Sequence, residues 1–365
     1  MMNKLLKHSD VEATNTILVE KEKDPLQNIT NGLPKTTNRV IIFLFLGLLL
    51  LPLQNFSPNP VQFNQTFWQH DTLLKWFSEF RHSVLKDSYF DQVIVGKNNW
   101  LLYIDKDSVQ DIQHTNQFSQ DNLVKIQSKL DRANAYFEKQ NITFVVVITP
   151  DKNSIYPEYI PEQIPVLGKQ SRLDQLVNYE NEQGGFRVID LRSSLILARE
   201  KTEVYYPDDS HWNPIGAQIA YVEIMSELQK RNPQLRAHSL DEYQLVPTGI
   251  LNGDLANLAG INTPNQKFTL EPKFEKTYTQ QYFKTDQITK ITLTGNSNPA
   301  APIAVIFQDS FFEELIPFFS DHFSKGIYIM SQSLDKTLIA RERPNIIIME
   351  YTERYMQRLL DIPDL

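Results

Sequence analysis

Six short runs of strand-forming residues recur between residues 93 and 351 and narrow the architectures open to this chain. Several are apolar on both faces, as strands of a parallel sheet covered by helices must be. Helical patterns lie between them, the clearest from Pro214 to about Lys230. This alternation predicts an α/β fold, a doubly wound and mainly parallel sheet flanked by helices. The runs are VIVG (93–96), TFVVVIT (143–149), FRVIDL (186–191), PIAVIF (302–307), GIYIM (326–330) and NIIIMEY (345–351), and further helices are predicted over about 120–139, 170–181, 311–320 and 352–360.

Residues 236–300 interrupt this alternation. They contain the stretch GILNGDLANLAGINTPNQ and, after it, a segment rich in Lys, Thr and Gln. Long insertions between the elements of a sheet commonly carry the substrate site. We therefore predict an inserted β-rich segment that forms hairpins near the cleft.

A run of 14 residues without a charge, VIIFLFLGLLLLPL, covers residues 40–53 and extends to Phe56 if two polar residues are tolerated. It is shorter than the roughly 20 apolar residues that usually span a bilayer. Polar segments on both sides argue against a core helix, and the absence of a small-x-small cleavage site favours an uncleaved signal anchor over a cleaved signal peptide. Lys35 and Arg39 precede the run and the next basic residue is Lys75, which predicts a cytoplasmic amino terminus.

This anchor sets the predicted organisation of the chain. The body of the protein would face the outside of the inner membrane, which is the periplasm in a Gram-negative-type cell. The segment after the anchor carries Trp68, Trp76 and Phe77 among polar residues, a pattern typical of an amphipathic helix near the membrane. The predicted parts are a disordered cytoplasmic tail (1–39), the transmembrane signal anchor (40–56), a juxtamembrane linker or helix (57–89) and the globular α/β domain (90–365).

Composition excludes several classes of function. The formal net charge of −8 supplies no general attraction to nucleic acid. The chain has no cysteine, so disulfides, thiolate metal sites and a cysteine nucleophile are excluded. The seven histidines show no H-x-x-x-H spacing, and neither G-x-x-x-x-G-K-[ST] nor G-x-G-x-x-G occurs. We predict no metal and no nucleotide cofactor.

A first candidate for chemistry is Ser310. The stretch IAVIFQDSFFEELIPFF predicts a buried strand, a very short turn and then a helix, so Ser310 would lie where the strand ends and the helix begins. Ligands of open α/β sheets bind at this edge, and the free N–H groups of a helix amino terminus can hold an oxyanion. Ser310 could therefore be a nucleophile, or it could only cap the helix.

A second candidate is the pair Asp209 and His211. A serine nucleophile needs a base, which is usually a histidine oriented by a carboxylate. With one residue between them in a tight turn, Asp209 can reach Nδ1 of His211 and leave Nε2 facing the cleft. Asn213 and Pro214 are typical of the cap and first residue of a helix, which would hold the turn on a rigid element. A solvated turn without a catalytic role is the alternative.

Six blocks of sequence, taken together and in order, resemble the alginate O-acetyltransferase group of SGNH-hydrolase-like proteins. The resemblance covers about residues 90–360. The blocks are GKNNWLLY (96–103), ITPDKNSIYPEYIP (148–161), YYPDDSHWNPIGA (205–217), NGDLANLAG (252–260), QDSFFEELIPFFSDHF (308–323) and NIIIMEYTERYM (345–356).

The resemblance implies a catalytic triad of Ser310 as nucleophile, His211 as base and Asp209 as its orienting acid. It further implies an acyl-enzyme route in which Ser310 takes an acetyl group from a donor and passes it to a hydroxyl of an exported polysaccharide. Water as the acceptor would make the protein an acetylesterase, and a glycan-binding scaffold with a silent triad is a further alternative. A membrane-bound O-acyltransferase is the implied supplier of acetyl groups.

Other residues of these blocks are candidates for binding. The backbone of Ser310, the amide of Gln308, and Asn252 with Gly253 are candidates for the oxyanion site, with helix capping as the alternative for the last two. Tyr156, Tyr205 and Tyr206 could line the cleft, whereas Trp212 fits packing beside His211 better than a sugar platform. Asp151 and Lys152 are either structural or substrate-facing.

Overall fold

A computed structural model describes residues 70–105, 107–284 and 290–365, together with Phe43 and Gly47. The predicted tail, the predicted anchor apart from these two residues, and the start of the predicted juxtamembrane segment lie outside the described residues. No helix in the described ranges combines the length and the apolar character needed to cross a bilayer. Residues 74–365 form one compact unit.

The described chain contains twelve strands and ten α-helices. The strands are β1 (Tyr89–Phe90), β2 (Val93–Val95), β3 (Leu101–Tyr103), β4 (Thr143–Thr149), β5 (Ile189–Asp190), β6 (Tyr243–Leu251), β7 (Asn265–Pro272), β8 (Tyr278–Lys284), β9 (Lys290–Asn296), β10 (Ile303–Gln308), β11 (Lys325–Met330) and β12 (Ile346–Thr352). The helices are α1 (His70–Ser83), α2 (Ser108–Ile112), α3 (Gln120–Glu138), α4 (Lys152–Ile155), α5 (Arg172–Gln183), α6 (Arg192–Arg199), α7 (Pro214–Arg231), α8 (Asp254–Ala259), α9 (Ile316–Phe319) and α10 (Lys336–Glu342). Turns of 3₁₀-helix cover Lys97–Asn99, Pro157–Tyr159, Leu240–Glu242, Ser310–Leu315, Ser320–His322 and Glu353–Asp361.

Seven strands form the central sheet in the order β5–β4–β12–β10–β11–β9–β8. The first five are parallel to one another, and β9 and β8 continue the sheet as an antiparallel pair. Because β4, β10 and β12 are parallel neighbours, their carboxyl ends meet at one edge of the sheet. The segments that leave this edge carry Lys152, Ser310 and Glu353.

Alternate residues of the central strands point to opposite faces of the sheet, and helices cover both faces. Ile346 and Ile348 of β12 pack in one core with α6, α7 and the Ser310–Phe323 segment. Ile347 and Met349 pack in the other with α3, α5, α10 and the last 3₁₀ turn. The apolar runs are thus buried on both sides, and the predicted doubly wound, mainly parallel α/β fold is confirmed.

Two predicted runs behave differently from central strands. VIVG contributes β2 to a separate three-stranded sheet, β1–β2–β3. In FRVIDL only Ile189 and Asp190 pair, because β5 is the edge strand and contacts β4 over two residues. The predicted helix 311–320 is a 3₁₀ segment followed by the short α9, where Pro317 removes one backbone donor.

The insertion forms two hairpins, and they have different positions. β6 and β7 pair with each other in a two-stranded sheet. β8 and β9 pair and extend the central sheet beyond β11. The short α8 lies between β6 and β7 along the chain and begins at Asp254. Asp254 and the preceding Gly253 bring this part of the insertion to the site.

Candidate active site

Ser310 lies immediately beyond the carboxyl end of β10, as the first residue of a 3₁₀ turn, and is exposed. The residue that caps this turn is Asp309, because its carboxylate accepts the N–H of Phe311 at 3.0 Å. The other oxygen of Asp309 accepts the hydroxyl of Thr352 at 2.6 Å and its N–H at 3.1 Å. The turn is therefore fixed to β12, and the Ser310 hydroxyl is not used for capping.

His211 lies in the turn before α7 and faces Ser310. Its Nε2 is 2.8 Å from the Ser310 Oγ, and its Nδ1 is 3.0 Å from an Asp209 carboxylate oxygen. The turn joins a rigid helix, since Asn213 caps α7 by accepting the N–H groups of Ile215 and Gly216 at 3.0 Å, as predicted. The structure thus brings the three predicted side chains into one hydrogen-bonded chain. Their catalytic role stays a prediction.

The carboxylate of Asp209 is held from three directions. One oxygen contacts the imidazole of His211 and also accepts the backbone N–H of His211 at 3.1 Å. The other oxygen accepts the backbone N–H of Asp254 at 3.2 Å. Burial alone would raise the pKa of Asp209, but the hydrogen bonds and positive charge of His211 outweigh it and lower the pKa well below its usual value. Asp209 is therefore a carboxylate at neutral pH, as an orienting acid must be.

The pKa of His211 is shifted in the opposite direction. Burial lowers its pKa, but the hydrogen bond to Asp209 and the charges of Asp254 and Asp209 have the larger combined effect, and the pKa is raised above the usual value. A raised pKa makes the imidazole a better acceptor for the Ser310 proton. The ring also packs against Phe311, with 4.7 Å between ring centroids, which restricts its rotation.

Lys152 is a residue of the site whose role the sequence left open. Its side chain is buried, and Nζ donates to the backbone carbonyls of Tyr206, Pro207 and Asp209 at 3.2, 3.0 and 2.7 Å. Three acceptors match the three N–H donors of an ammonium group. Burial lowers the pKa of Lys152 to about 7, although nearby carboxylates favour its charged form. Lys152 is structural: it fixes the turn that carries Asp209.

Asn252 and Gly253 do not offer the oxyanion donors predicted for them. The Asn252 side chain donates to the Ile261 carbonyl at 3.3 Å and accepts the Thr263 N–H at 3.1 Å. The Gly253 N–H donates to the Asp208 carboxylate at 2.5 Å. A Cβ on Gly253 would lie 2.3 Å from the Asp208 carbonyl oxygen, so close backbone approach explains the glycine. Both residues hold the insertion against the turn.

The remaining oxyanion candidates are Gln308 and Ser310. Gln308 is only 2% exposed and is the last residue of β10, so its amide is enclosed beneath the turn. The backbone N–H of Ser310 opens the 3₁₀ turn, where N–H groups have no partner within the helix. That this N–H holds an oxyanion stays a prediction.

Three of the aromatic candidates are core residues. Tyr156, Tyr205 and Trp212 are at most 5% exposed. The Tyr156 hydroxyl accepts the Val204 N–H at 2.9 Å, and the Tyr205 hydroxyl donates to the Pro150 carbonyl at 2.7 Å. The prediction that these tyrosines line the cleft is therefore wrong, because their hydroxyls are used in holding the turn to β4. The packing role of Trp212 is confirmed.

Tyr206 differs from the other tyrosines because it is only half-buried and lines a cavity. Its hydroxyl accepts the Phe268 N–H at 2.9 Å, and Nζ of Lys267 lies 4.0 Å from its ring centroid. The cavity, of about 440 Å³, lies between the turn and the β6–β7 hairpin. It is lined by Thr202, Glu203, Tyr206, Pro207, Asn213, Pro214, Ile215, Leu245, Asn265, Gln266 and Phe268.

A buried ion pair lies close to the turn that carries Ser310. The Arg354 guanidinium contacts the Asp151 carboxylate, the Arg354 N–H donates to the same carboxylate at 3.0 Å, and both side chains are 11% exposed. The guanidinium carbon also lies 5.6 Å from the Phe311 ring centroid. Asp151 is therefore structural as well. A groove of about 500 Å³ begins at Arg354 and is lined by Asp105, Asp107, Asn116, Gln117, Asn122, Arg172, Tyr355, Gln357 and Arg358.

Asp209, His211 and Asp254 offer ligand atoms within 4.8 Å of one another, a spacing that a metal ion could bridge. Hydrogen bonds already use these atoms: Asp209 accepts from two backbone N–H groups, and Asp254 accepts the N–H and hydroxyl of Ser210. The arrangement fits a hydrogen-bonded relay better than a ligand shell.

Comparison with known proteins identifies related sequences. Residues 93–353 match the family described as SGNH hydrolase-like domain, acetyltransferase AlgX. Two proteins named "Probable alginate O-acetylase AlgJ" are similar to the chain. The protein from Pseudomonas syringae pv. tomato is 24% identical over 277 residues, which cover 72% of this chain and 69% of the relative. The protein from Azotobacter vinelandii is 24% identical over 292 residues, which cover 74% and 71%.

The fold also has a solved counterpart. The structure of Bacillus cereus PatB1 superimposes with a TM-score of 0.55 at 15% sequence identity and covers 73% of this chain and 96% of that protein. At this identity the similarity concerns the fold alone.

Proposed function

Because the chain belongs to the family described as SGNH hydrolase-like domain, acetyltransferase AlgX, we propose that it transfers acetyl groups to hydroxyls of a polysaccharide through a serine acyl-enzyme. Membership of this family supports acetyltransferase activity. The finer proposal is that Ser310 is the nucleophile, His211 the base and Asp209 the orienting acid.

One observation carries the proposal, the unbroken chain of hydrogen bonds from Asp209 through His211 to Ser310. Its two ring contacts measure 3.0 and 2.8 Å, which lie within the range of normal hydrogen bonds. Asp209 and His211 have side chains only 20% and 24% exposed, whereas Ser310 is exposed. A base that is held rigidly and a hydroxyl that a substrate can reach are what nucleophilic acyl transfer needs.

In the first half-reaction the Ser310 Oγ attacks the carbonyl carbon of the donor acetyl group. Nε2 of His211 takes the hydroxyl proton while the new C–O bond forms, and Asp209 stabilises the resulting imidazolium through Nδ1–H. The N–H of Ser310 contributes to the stabilisation of the oxyanion. When the bond to the donor breaks, His211 returns the proton to the leaving group, and acetyl-Ser310 remains.

In the second half-reaction a sugar hydroxyl attacks acetyl-Ser310. His211 removes the proton of this hydroxyl, the acetyl C–O bond to Ser310 breaks, and the proton returns to the Ser310 Oγ. Water in place of the sugar gives acetate, so the same residues would act as an esterase. Neither half-reaction needs a metal or a nucleotide cofactor.

The acceptor is proposed to be an extracellular polysaccharide, and alginate is the first to test because the relatives are named alginate O-acetylases. The polar groove at Arg354 supports an acceptor rich in hydroxyls, since hydrogen-bonding side chains line most of it. Arg354 connects this groove to the Ser310 turn through its contact with Phe311.

The test offers the full chain a chromogenic acetyl ester with and without alginate oligosaccharides that lack acetyl groups. We expect acetylated oligosaccharide, and after rapid quenching a peptide that contains Ser310 with one added acetyl group. Acetate release without transfer at any oligosaccharide concentration would favour the esterase. Binding of the oligosaccharide with neither reaction would favour a non-catalytic scaffold.

We also propose that the protein is held at the inner membrane with its α/β domain in the periplasm, where a membrane-bound O-acyltransferase would supply acetyl groups. The sequence of residues 40–53 and the basic residues before it support this location. Helix α1 supports it further, because it exposes an apolar stripe: Trp76, Phe77 and Phe80 are 68%, 57% and 48% exposed. Aromatic side chains in such a stripe favour a lipid interface.

The absence of cysteine makes this location directly testable by spin labelling. Single variants Phe77→Cys and Phe80→Cys of the full chain in lipid vesicles are expected to be more accessible to oxygen than to a water-soluble nickel chelate. Val124→Cys, at an exposed apolar position of α3, is the matched control and should show the reverse. Labels on α1 that behave like the control would refute contact with lipid, and mutual broadening of the spectra would indicate a dimer instead.

A further inference from the structure

We propose that Asp254 is a second acid for His211, a positioning residue that shares the Nδ1–H of the imidazole with Asp209. The inference rests on the proposed function, because it assigns a role within the Ser310–His211–Asp209 chain. Asp254 is the first residue of α8 and comes from the insertion, 43 residues beyond His211.

The contact geometry is the first support. An Asp254 carboxylate oxygen lies 3.4 Å from His211 Nδ1, which is only slightly farther than the 3.0 Å to Asp209. Ser210 lies between them: its hydroxyl donates to the same Asp254 oxygen and is 3.3 Å from Nδ1. At 3.4 Å the negative charge of Asp254 acts directly on the imidazole.

The way Asp254 is held is the second support. Its other carboxylate oxygen accepts the Ser210 N–H at 2.6 Å, so the group is fixed at both ends. Its own backbone N–H donates to Asp209 at 3.2 Å. Asp254 therefore acts on the histidine directly with its charge and indirectly through the orientation of Asp209.

The charges at the site explain why Asp209 is the main acidic partner of His211 and Asp254 the second one. Burial and the negative charge of Asp209 raise the pKa of Asp254, whereas the pKa of Asp209 is lowered. Two carboxylates in one site disfavour each other's charge. Removal of the Asp209 carboxylate relieves this repulsion. The pKa of Asp254 is then expected to fall, which favours its charged form as the partner of His211.

A double-mutant cycle tests this role in the full chain. We expect Asp254→Asn alone to lower kcat for acetyl-ester hydrolysis by less than about tenfold, with KM unchanged. In the Asp209→Ala background we expect the same substitution to lower the residual kcat by about a hundredfold. Equal effects in the two backgrounds would show that Asp254 does not replace Asp209, and would overturn the proposal.

A second measurement does not depend on catalysis. Selective ¹⁵N labelling of the seven histidines allows the titration of His211 to be followed by NMR. The charged groups that face this ring are Asp209 and Asp254, which favour its protonation, with Glu314 from the 3₁₀ turn and Arg354 from the segment after β12. Asp254→Asn is expected to move the titration to lower pH, because it removes a negative charge beside the ring.

Asp121→Asn is the matched control, since it makes the same change of charge at an exposed position of α3. It is expected to leave the titration of His211 and the rate unchanged. If Asp254→Asn also leaves the titration unchanged, the proposal fails even when the enzyme is active. Retention of full hydrolysis by a Ser310→Ala variant would instead refute the proposed function, whatever the titration shows.

Discussion

The Ser310→Ala variant is expected to hydrolyse acetyl esters about 10⁴-fold to 10⁶-fold more slowly than the unaltered protein. The reason is that the substitution removes the oxygen atom that lies 2.8 Å from His211 Nε2 and would form the acetyl ester. Because Ser310 is exposed and Asp309 caps the turn, the free energy of unfolding should change by less than about 0.5 kcal/mol. Initial rates and urea unfolding of the same preparations measure both effects.

Ser128→Ala serves as the control for this experiment, because Ser128 is an exposed serine of α3 on a different part of the domain. It should retain the full rate. A Ser310→Ala protein that is folded and still releases acetate at the full rate would exclude Ser310 as the nucleophile. A protein that is inactive because it is unfolded would be recognised from the urea transition.

The second large effect concerns stability. Arg354→Met is expected to lower the free energy of unfolding by about 3–5 kcal/mol, because it leaves the buried Asp151 carboxylate without its partner. Burial already raises the pKa of Asp151 in spite of the guanidinium. The variant should therefore recover part of its stability as the pH falls and Asp151 takes up a proton.

A double variant and a surface control separate the buried charge from lost packing. The double variant Asp151→Asn, Arg354→Met should be more stable than Arg354→Met alone. The side-chain amide at position 151 carries no charge, and its oxygen can still accept the backbone N–H of residue 354. Arg132→Met removes the exposed partner of Asp364 and should cost less than about 1 kcal/mol. A cost for Arg354→Met as small as that of the surface variant would contradict the predicted burial penalty.

Much of the fold could be predicted because burial on both faces leaves a strong trace in the sequence. TFVVVIT and NIIIMEY are apolar on both faces at their centres and form neighbouring central strands. The extent of the strand in FRVIDL is harder to predict. An edge strand forms few backbone pairs, and its length depends on contacts with other segments of the chain. The 3₁₀ geometry after Ser310 likewise depends on packing around Pro317 as well as on local propensity.

The candidate site was predictable where its residues have a local signature. Asp209 and His211 stand two residues apart before a helix cap, and Ser310 stands between a strand and a helix. Lys152 and Asp254 carry no such signature, because their partners are distant in the sequence. Lys152 binds backbone carbonyls 54 to 57 residues away, and Asp254 contacts His211 and Asp209, which are 43 and 45 residues away. The two core tyrosines, Tyr156 and Tyr205, could not be distinguished from cleft residues by residue type alone.

Several hydrogen bonds join the insertion to the turn that carries Asp209. Gly253 and Lys267 both bind the carboxylate of Asp208, the latter at 2.7 Å, and Asp254 binds Asp209. A chimera that received residues 243–272 from another member of the family would lose these attachments unless the recipient turn matched them. Exchange of the insertion alone is therefore expected to loosen the hold on Asp209 and His211, whereas exchange of the insertion together with its own turn is expected to keep it.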